Sequence, residues 1–437
     1  MDLWIVSLII GFALLLILVI GVPITFGLTG LSVVLLLIFR DADALYLIIA
    51  ATLKQMSTDI FIAVPLFILM ATILQFSGVA GDLYESMHKW VGPVKGGLAS
   101  GTVVICTIIA AISGVAATAT TTMGLIALPE MHKRGYYMPI VLGAIAGGGA
   151  LGVLIPPSVL MIIVGGYSGV SVGKLFIGGI LPGILVSLSW VIYITIRCAI
   201  RKMEGPALPE EERGTLWEKI VSLRALVLPF LVIALVLGEI YGGICTPTEA
   251  ASFGVFGALV CAAVNRKLRW SNMSQALITA ARITGMVMWL VIGGGCYSVL
   301  ISSTGVGAFV SNVLTGLPTG PSGVVLIMLG VVFVMGMFID PVAISMICIP
   351  IFMPAILRLG IDPLWSMLLF TICVIVGYIT PPFGINLFYM KGVAPEETTM
   401  MDIYRGAVPY ALLMVIVLVF CFKFPSLLIW LPNTMIK

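Results

Sequence analysis

Apolar segments long enough to approach the thickness of a bilayer's hydrocarbon core recur along the chain from Leu3 to Leu431. In the first half they cover residues 3–20, 24–39, 60–76, 94–112, 119–128, 139–165 and 174–197. Short segments of strict alternation, the mark of a membrane barrel, do not occur, so the pattern predicts an all-α polytopic membrane protein. Two segments depart from a simple span. The run at 119–128 is too short to cross, and with the run before it flanks Ser113-Gly114. That pair is expected to enter and leave on one side as a re-entrant helical hairpin. The run at 139–165 is long enough but is interrupted at Pro156-Pro157. Two adjacent prolines remove two backbone donors and push the preceding residue out of helical geometry, so a broken transmembrane helix is expected here.

The same order returns further along. Sliding the chain on itself gives a match at an offset of 225, give or take two, where Gly152-Val-Leu-Ile-Pro156-Pro157 falls on Gly377-Tyr-Ile-Thr-Pro381-Pro382. Ser77-Gly78-Val79 meets Thr304-Gly305-Val306, Pro129 meets Pro354 and Gly135 meets Gly360. Residues 1–200 then form a first repeat, with a hairpin at about 94–132 and a broken helix at about 139–168. Residues 201–224 form a polar linker holding the Glu210-Glu211-Glu212 run, and 225–437 form a second repeat, with its hairpin at about 321–357 and its broken helix at about 364–391. Five crossings per half would start the second half on the opposite face, which makes the repeats inverted. With that topology 16 of the 22 basic residues fall on the side that carries the linker. By the positive-inside rule this side is cytoplasmic and both termini are periplasmic.

Composition agrees with the pattern and narrows the chemistry. Hydrophobic residues make up 61% of the chain and charged residues 9%, against about 25% charged in soluble domains. The lipid bilayer is therefore the solvent, and the first apolar run reads as a span because Asp2 stands where a signal peptide carries basic residues. A net charge of +3 with scattered Lys and Arg gives no nucleic-acid partner. The eight cysteines are widely spaced, which predicts free buried thiols. His88 and His132 are the only histidines, and no acid, base and nucleophile cluster suggests an enzyme.

Broken helices gather ligands near the midplane, because unwound backbone offers carbonyls to cations and half-helix N-termini to anions. The candidate positions are the tip 113–118 with Thr120 to Thr122, the break 152–158, the tip 336–341 with Ser345, and the break 377–386. Hydroxyls in apolar helices also bond back to their own carbonyls, a purely structural use. Asp340 before Pro341 suits an N-cap, and an aspartate at membrane depth equally suits a functional role. Glu249, in Thr246-Pro247-Thr248-Glu249, suits a cap on the helix that Pro247 starts, with proton coupling as the other reading.

Four strings carry a family resemblance: Cys245-Thr-Pro-Thr-Glu-Ala-Ala251, Leu154-Ile-Pro-Pro-Ser158, Gly336-Met-Phe-Ile-Asp340-Pro341 and Ile379-Thr-Pro-Pro-Phe-Gly-Ile-Asn386. In this order and spacing the chain resembles the large membrane subunit of tripartite ATP-independent periplasmic (TRAP) transporters, the dicarboxylate M-subunit type. The resemblance implies an elevator-type, sodium-driven importer of a small carboxylate in the bacterial inner membrane. Its partners would be a small four-helix membrane subunit and a periplasmic substrate-binding protein, with Na⁺ as coupling ion and no organic cofactor. It implies a first sodium site at Ser113, Ala116, Gly152, Ile155 and Pro157, and a second at Phe338, Pro341, Gly377, Thr380 and Pro382. Substrate would lie near Thr118, Ser158, Ser345 and Asn386. A stand-alone sodium or proton symporter of the divalent-anion type would share the hairpins and dispense with the binding protein.

Overall fold

The computed structural model describes residues 2–209 and 215–436, and among them every regular element is a helix. The first half runs α1 (Leu3–Ile20), α2 (Ile24–Phe39), α3 (Leu45–Met56), α4 (Asp59–Phe76) and α5 (Val79–Val91). It continues through α6 (Gly97–Ser113), α7 (Ala116–Lys133), α8 (Met138–Ala150), α9 (Val159–Ser168) and α10 (Val172–Ile200). A short α11 (Leu216–Ser222) follows the linker. The second half runs α12 (Arg224–Tyr241), α13 (Pro247–Val264), α14 (Trp270–Thr304), α15 (Val306–Thr315) and α16 (Gly320–Gly336), then α17 (Pro341–Arg358), α18 (Pro363–Tyr378), α19 (Ile385–Val393), α20 (Met400–Lys423) and α21 (Ser426–Asn433).

The series α6 to α10 and α16 to α20 follow one another element for element. α7 and α17 begin and end 225 residues apart, and each Pro-Pro pair, Pro156-Pro157 and Pro381-Pro382, contains a cis peptide bond. The halves differ where α3 and α4 face a single 35-residue α14. Ser57 and Thr58 interrupt the first half: their hydroxyls donate back to the carbonyls of Leu53 and Lys54 at 2.9 Å each, a competition with the helix ladder typical of these residues. Nothing of that kind interrupts α14, which at 1.5 Å per residue is about 52 Å long.

Two expectations change. The hairpin's second arm is not a stub of ten apolar residues, because α7 has 18 residues against 17 in α6. Thr120 to Thr122, Glu130 and His132 lower its hydropathy without breaking it. Second, α5 was not legible as an apolar run because only one side of it is buried, through Val79, Ala80, Leu83 and Tyr84. Among the described residues seven helices are long and apolar enough to cross a membrane. One of these is α17, expected from the sequence as an arm of the second re-entrant hairpin.

The part of the linker that is described lies across the base of the first hairpin. Gly96 N–H donates to the Gly205 carbonyl at 3.0 Å, Leu208 N–H to Gly92 at 2.8 Å and Tyr137 N–H to Glu204 at 2.9 Å. The Glu204 carboxylate takes Arg197 at 2.6 Å and Arg201 at 3.0 Å. Burial alone would raise the Glu204 pKa, but the two guanidinium groups outweigh it and hold the carboxyl below its ordinary value. The Glu210 to Glu212 run lies outside the described residues.

The halves meet backbone to backbone where α8 packs on α20. A Cβ on Gly143 would lie 2.3 Å from the Gly406 carbonyl, and one on Gly406 2.4 Å from the Pro139 carbonyl, so the two backbones touch. Small residues are what allow such approach between membrane helices. Tyr410 then reaches over the contact: its hydroxyl donates to the Ile140 carbonyl at 3.1 Å and its own carbonyl takes Trp190 Nε1 at 2.9 Å. Gly143→Ala and Gly406→Ala should each destabilise the fold by about 1–3 kcal/mol, because backbone cannot step aside as a flexible side chain can. Gly285→Ala on α14, which meets no atom within 4 Å, should leave the melting temperature in detergent unchanged or raise it. Equal behaviour of all three variants would remove the α8–α20 contact from the account.

Candidate functional site

α6 ends at Ser113 and the chain turns through Gly114, whose φ of +59° only glycine adopts readily. A Cβ at Gly114 would come within 2.8 Å of the Pro157 carbonyl oxygen, and one at Gly152 within 3.3 Å of the Ala116 nitrogen. The first tip is thus seated on the first break, and Ser113, Ala116, Gly152 and Pro157 are buried together with half-buried Ile155 beside them. The Ser113 hydroxyl stays local, 3.3 Å from the Val115 carbonyl. Among the described residues the carbonyl oxygens of Ser113, Ile155 and Pro157 accept no hydrogen bond. Carbonyls freed by a helix end and left without a donor are the oxygen ligands a hard cation uses.

The second tip meets its break in a related way. Gly336 and Gly377 approach so closely that a Cβ on Gly377 would lie 2.6 Å from the Gly336 Cα, and Gly384 N–H donates to the Met337 carbonyl at 2.9 Å. Asp340 caps α17: its Oδ1 accepts from Val342 N–H at 2.9 Å, with Pro341 at the first helical position. The carbonyls of Phe338 and Thr380 accept no hydrogen bond among the described residues, whereas Gly377 takes Thr380 N–H at 3.0 Å and Pro382 takes the Tyr404 hydroxyl. Thr380 Oγ1 donates to Val376 at 2.5 Å. A donating hydroxyl keeps its lone pairs, so this bond orients Thr380 without removing it as a cation ligand. The first break is buried throughout its two prolines, while Pro382 and Phe383 of the second are exposed.

One amide ties the two halves together. Asn386, fully buried at the start of α19, accepts Thr120 Oγ1 at 3.0 Å and donates Nδ2 to the Ala146 carbonyl of α8 at 2.6 Å. Gly149 makes room for this, since a Cβ there would lie 2.0 Å from Thr120 Oγ1. The other expected substrate residues are also committed. Ser158 donates to Val153 at 2.6 Å and caps α9 by accepting Met161 N–H at 3.4 Å, and Ser345 donates to Pro341 at 2.9 Å. Both are fully buried. Thr118 differs: it is half-buried, and its hydroxyl makes no hydrogen bond among the described residues. Two contacts were missed from the sequence, Ala146 and the Gln75 side chain of α4, which donates to Thr122 Oγ1 at 3.5 Å. The run Gly143 to Gly149, with a small residue at nearly every place, was the signal for the first. Glu249 lies apart from all of this in an exposed capping box, with its Oε2 2.8 Å from Thr246 N and Thr246 N-capping α13 in return.

A many-helix membrane protein in which hairpin tips seat on helix breaks has the build of a secondary transporter, with four half-helix N-termini and two groups of backbone oxygens near the breaks. The comparisons agree. The sequence model of the family described as "Tripartite ATP-independent periplasmic transporter, DctM component" matches residues 10–427. The chain is 32% identical over 407 residues to the C4-dicarboxylate TRAP transporter large permease protein DctM of Pseudomonas aeruginosa, covering 92% of this chain and 93% of that one. It is 31% identical to the ectoine TRAP transporter large permease protein TeaC of Halomonas elongata, covering 95% and 96%. A longer relative, the isethionate TRAP transporter permease protein DctMQ of Oleidesulfovibrio alaskensis, is 30% identical over 94% of this chain and 64% of its own length. In fold the chain is similar to the YdaH transporter of Alcanivorax borkumensis, with a TM-score of 0.68 at 14% identity over 96% of this chain and 98% of that one. The chain belongs to the DctM family: it is the large permease component of a TRAP transporter, and not an enzyme.

If the Thr120–Asn386 bond couples the halves, Thr120→Ala and Asn386→Ala should not act independently. A double-mutant cycle read by thermal melting should give a coupling of about 0.5–3 kcal/mol. Asn386→Ala should be the more damaging single change, because it removes two buried hydrogen bonds, from Thr120 and to Ala146, where Thr120→Ala removes one. A coupling near zero would mean that this amide does not hold the halves together.

Proposed function

We propose that the chain imports a small organic carboxylate across the bacterial inner membrane, driven by sodium. It would work with a periplasmic substrate-binding protein and a small four-helix membrane subunit, with both termini in the periplasm and the linker in the cytoplasm. The observation that carries this reading is the seating of each tip on its break, with unbonded carbonyls gathered at the first. The names of the relatives, for C4-dicarboxylate, ectoine and isethionate, support a small polar solute, and the extra length of the DctMQ relative leaves room for a second subunit.

One cation would be held by Ser113, Ala116, Gly152, Ile155 and Pro157, a second by Phe338, Pro341, Gly377, Thr380 and Pro382. Neutral carbonyls and hydroxyls of this kind carry no titrating group, which favours Na⁺ over a proton. A cation at the midplane offsets the charge of the arriving carboxylate and lowers the cost of bringing it into low dielectric. The carboxylate itself would lie among the N-termini of α7, α9, α17 and α19, taking the free hydroxyl of Thr118 directly. Ser158, Ser345 and Asn386 frame that space from behind. The two hairpins and two broken helices would move as one body against the other spans, as an elevator, and the Thr120–Asn386–Ala146 tie gives that body its coherence.

The test is uptake into proteoliposomes holding the membrane subunits, with the binding protein supplied outside. A sodium gradient should drive accumulation, and omitting the binding protein should abolish it. Thr380→Val, which keeps the shape and deletes the hydroxyl, should weaken the apparent sodium affinity more than the substrate affinity at saturating sodium. Uptake driven equally well by a proton gradient without sodium would overturn the coupling. Uptake that persists without a binding protein would favour the stand-alone symporter.

A further inference from the structure

One side of α10 is grooved where the helix runs into the linker. Ile192, Ile196 and Ile200, three and four residues apart and so on one side of the helix, line a single groove of about 600 Å³ together with Leu413 of α20. The three isoleucines are exposed and Leu413 is half-buried. Because α10 is long and apolar enough to cross a membrane, this wall is suited to acyl chains. Tyr193, Arg197 and Arg201 line the same groove, with Arg197 in the last turn of α10 and Arg201 just past it.

Two guanidinium groups here share one carboxylate. Glu204 takes Arg197 at 2.6 Å and Arg201 at 3.0 Å, which leaves the trio one positive charge in excess. Arg197 also donates to the Tyr193 hydroxyl and lies over the rings of Tyr137 and Tyr193, 5.5 and 5.8 Å from their centroids, so it is held in place. Nη2 of both arginines and Nε of Arg201 make no hydrogen bond among the described residues. The Arg201 side chain is 66% exposed. Donors are therefore available at the charged part of an apolar groove.

The second repeat offers an internal comparison. The offset of 225 puts Leu418 and Phe422 of α20 at the places of Tyr193 and Arg197, and these two also line a groove, of about 460 Å³. The basic residue there is Lys423. One repeat thus keeps an apolar groove where the other carries a guanidinium pair.

We propose that the α10 groove binds one anionic phospholipid, with an acyl chain along the isoleucines and Leu413 and its phosphate on Arg197 and Arg201. Guanidinium forks match phosphate oxygens in geometry as well as charge, and basic pockets between membrane helices on the cytoplasmic side hold anionic headgroups. A zwitterionic lipid covers the same apolar wall but brings a cation of its own to the arginines. A soluble anion meets the arginines and leaves the isoleucines bare. The lipid would also brace the linker, since Glu204 joins both arginines and its carbonyl takes Tyr137 N–H at the base of the first hairpin.

The experiment follows thermal melting of the purified full chain in detergent during titration with phosphatidylglycerol, phosphatidylcholine of the same acyl chains, or inorganic phosphate. Phosphatidylglycerol should stabilise the chain with an apparent affinity at least about fivefold tighter than phosphatidylcholine, and phosphate should give no shift. Arg201→Gln should weaken phosphatidylglycerol by about fivefold, the factor for one basic residue at an anionic lipid surface. Lys423→Gln, in the other groove, should leave it unchanged. Equal affinities for the two lipids, an unchanged phosphatidylglycerol affinity in Arg201→Gln, or equal losses in the two variants would overturn the site. Phosphate reproducing the full shift would overturn the lipid as its occupant. Should Arg201→Gln show no melting transition, the ratio of the two lipids on the wild-type chain decides.

Discussion

Within a bilayer every backbone polar group has to find its partner inside the protein. An interrupted helix violates this at each break, and most of the architecture answers that violation. The breaks at Pro156-Pro157 and Pro381-Pro382 are not left facing lipid; a hairpin tip is brought against each. Glycine makes the approach possible at Gly114, Gly152, Gly336 and Gly377, where a side chain would meet backbone at 2.6–3.3 Å. What remains without a donor is a small set of carbonyls, and that residue of unmet demand is where a cation would be stabilised.

The two halves meet this constraint with one plan and different chemistry. At the first tip and break the surroundings are enclosed and hydroxyl-bearing, through Ser113 and Ser158. At the second the corresponding places are phenyl rings, and the break is open. Asn386 joins the two, spending its carbonyl on Thr120 and an N–H on Ala146. Its use is structural in this conformation, and it fixes the distance between the two tip and break pairs.

Much of the fold was legible in the sequence. α1 and α2 span the residues that apolarity alone marks out, and the doubled prolines announce both breaks. Thr246-Pro247-Thr248-Glu249 read as a cap because capping is local, decided within four residues. Amphipathic α5 and threonine-rich α7 were under-read, since mean apolarity falls where a helix keeps a polar side. The contacts that make the site were least legible. Asn386 and Thr120 lie 266 residues apart, and no local pattern states which buried hydroxyl a buried amide will meet. The offset between halves located the right segments and left their pairing to the packing.

The central claim is that the two tip and break pairs form one body that moves against the rest. Pulsed electron resonance distances between spin labels test it directly, in a chain whose eight native cysteines are replaced. Labels at Leu125 on α7 and Tyr389 on α19 report within the body, and labels at Leu125 and Ile62 on α4 report across its boundary; all three positions are exposed. When sodium and substrate are added, the first distance should stay fixed and the second should change by at least one helical turn, about 5 Å. A first distance that changes as much as the second would contradict the account.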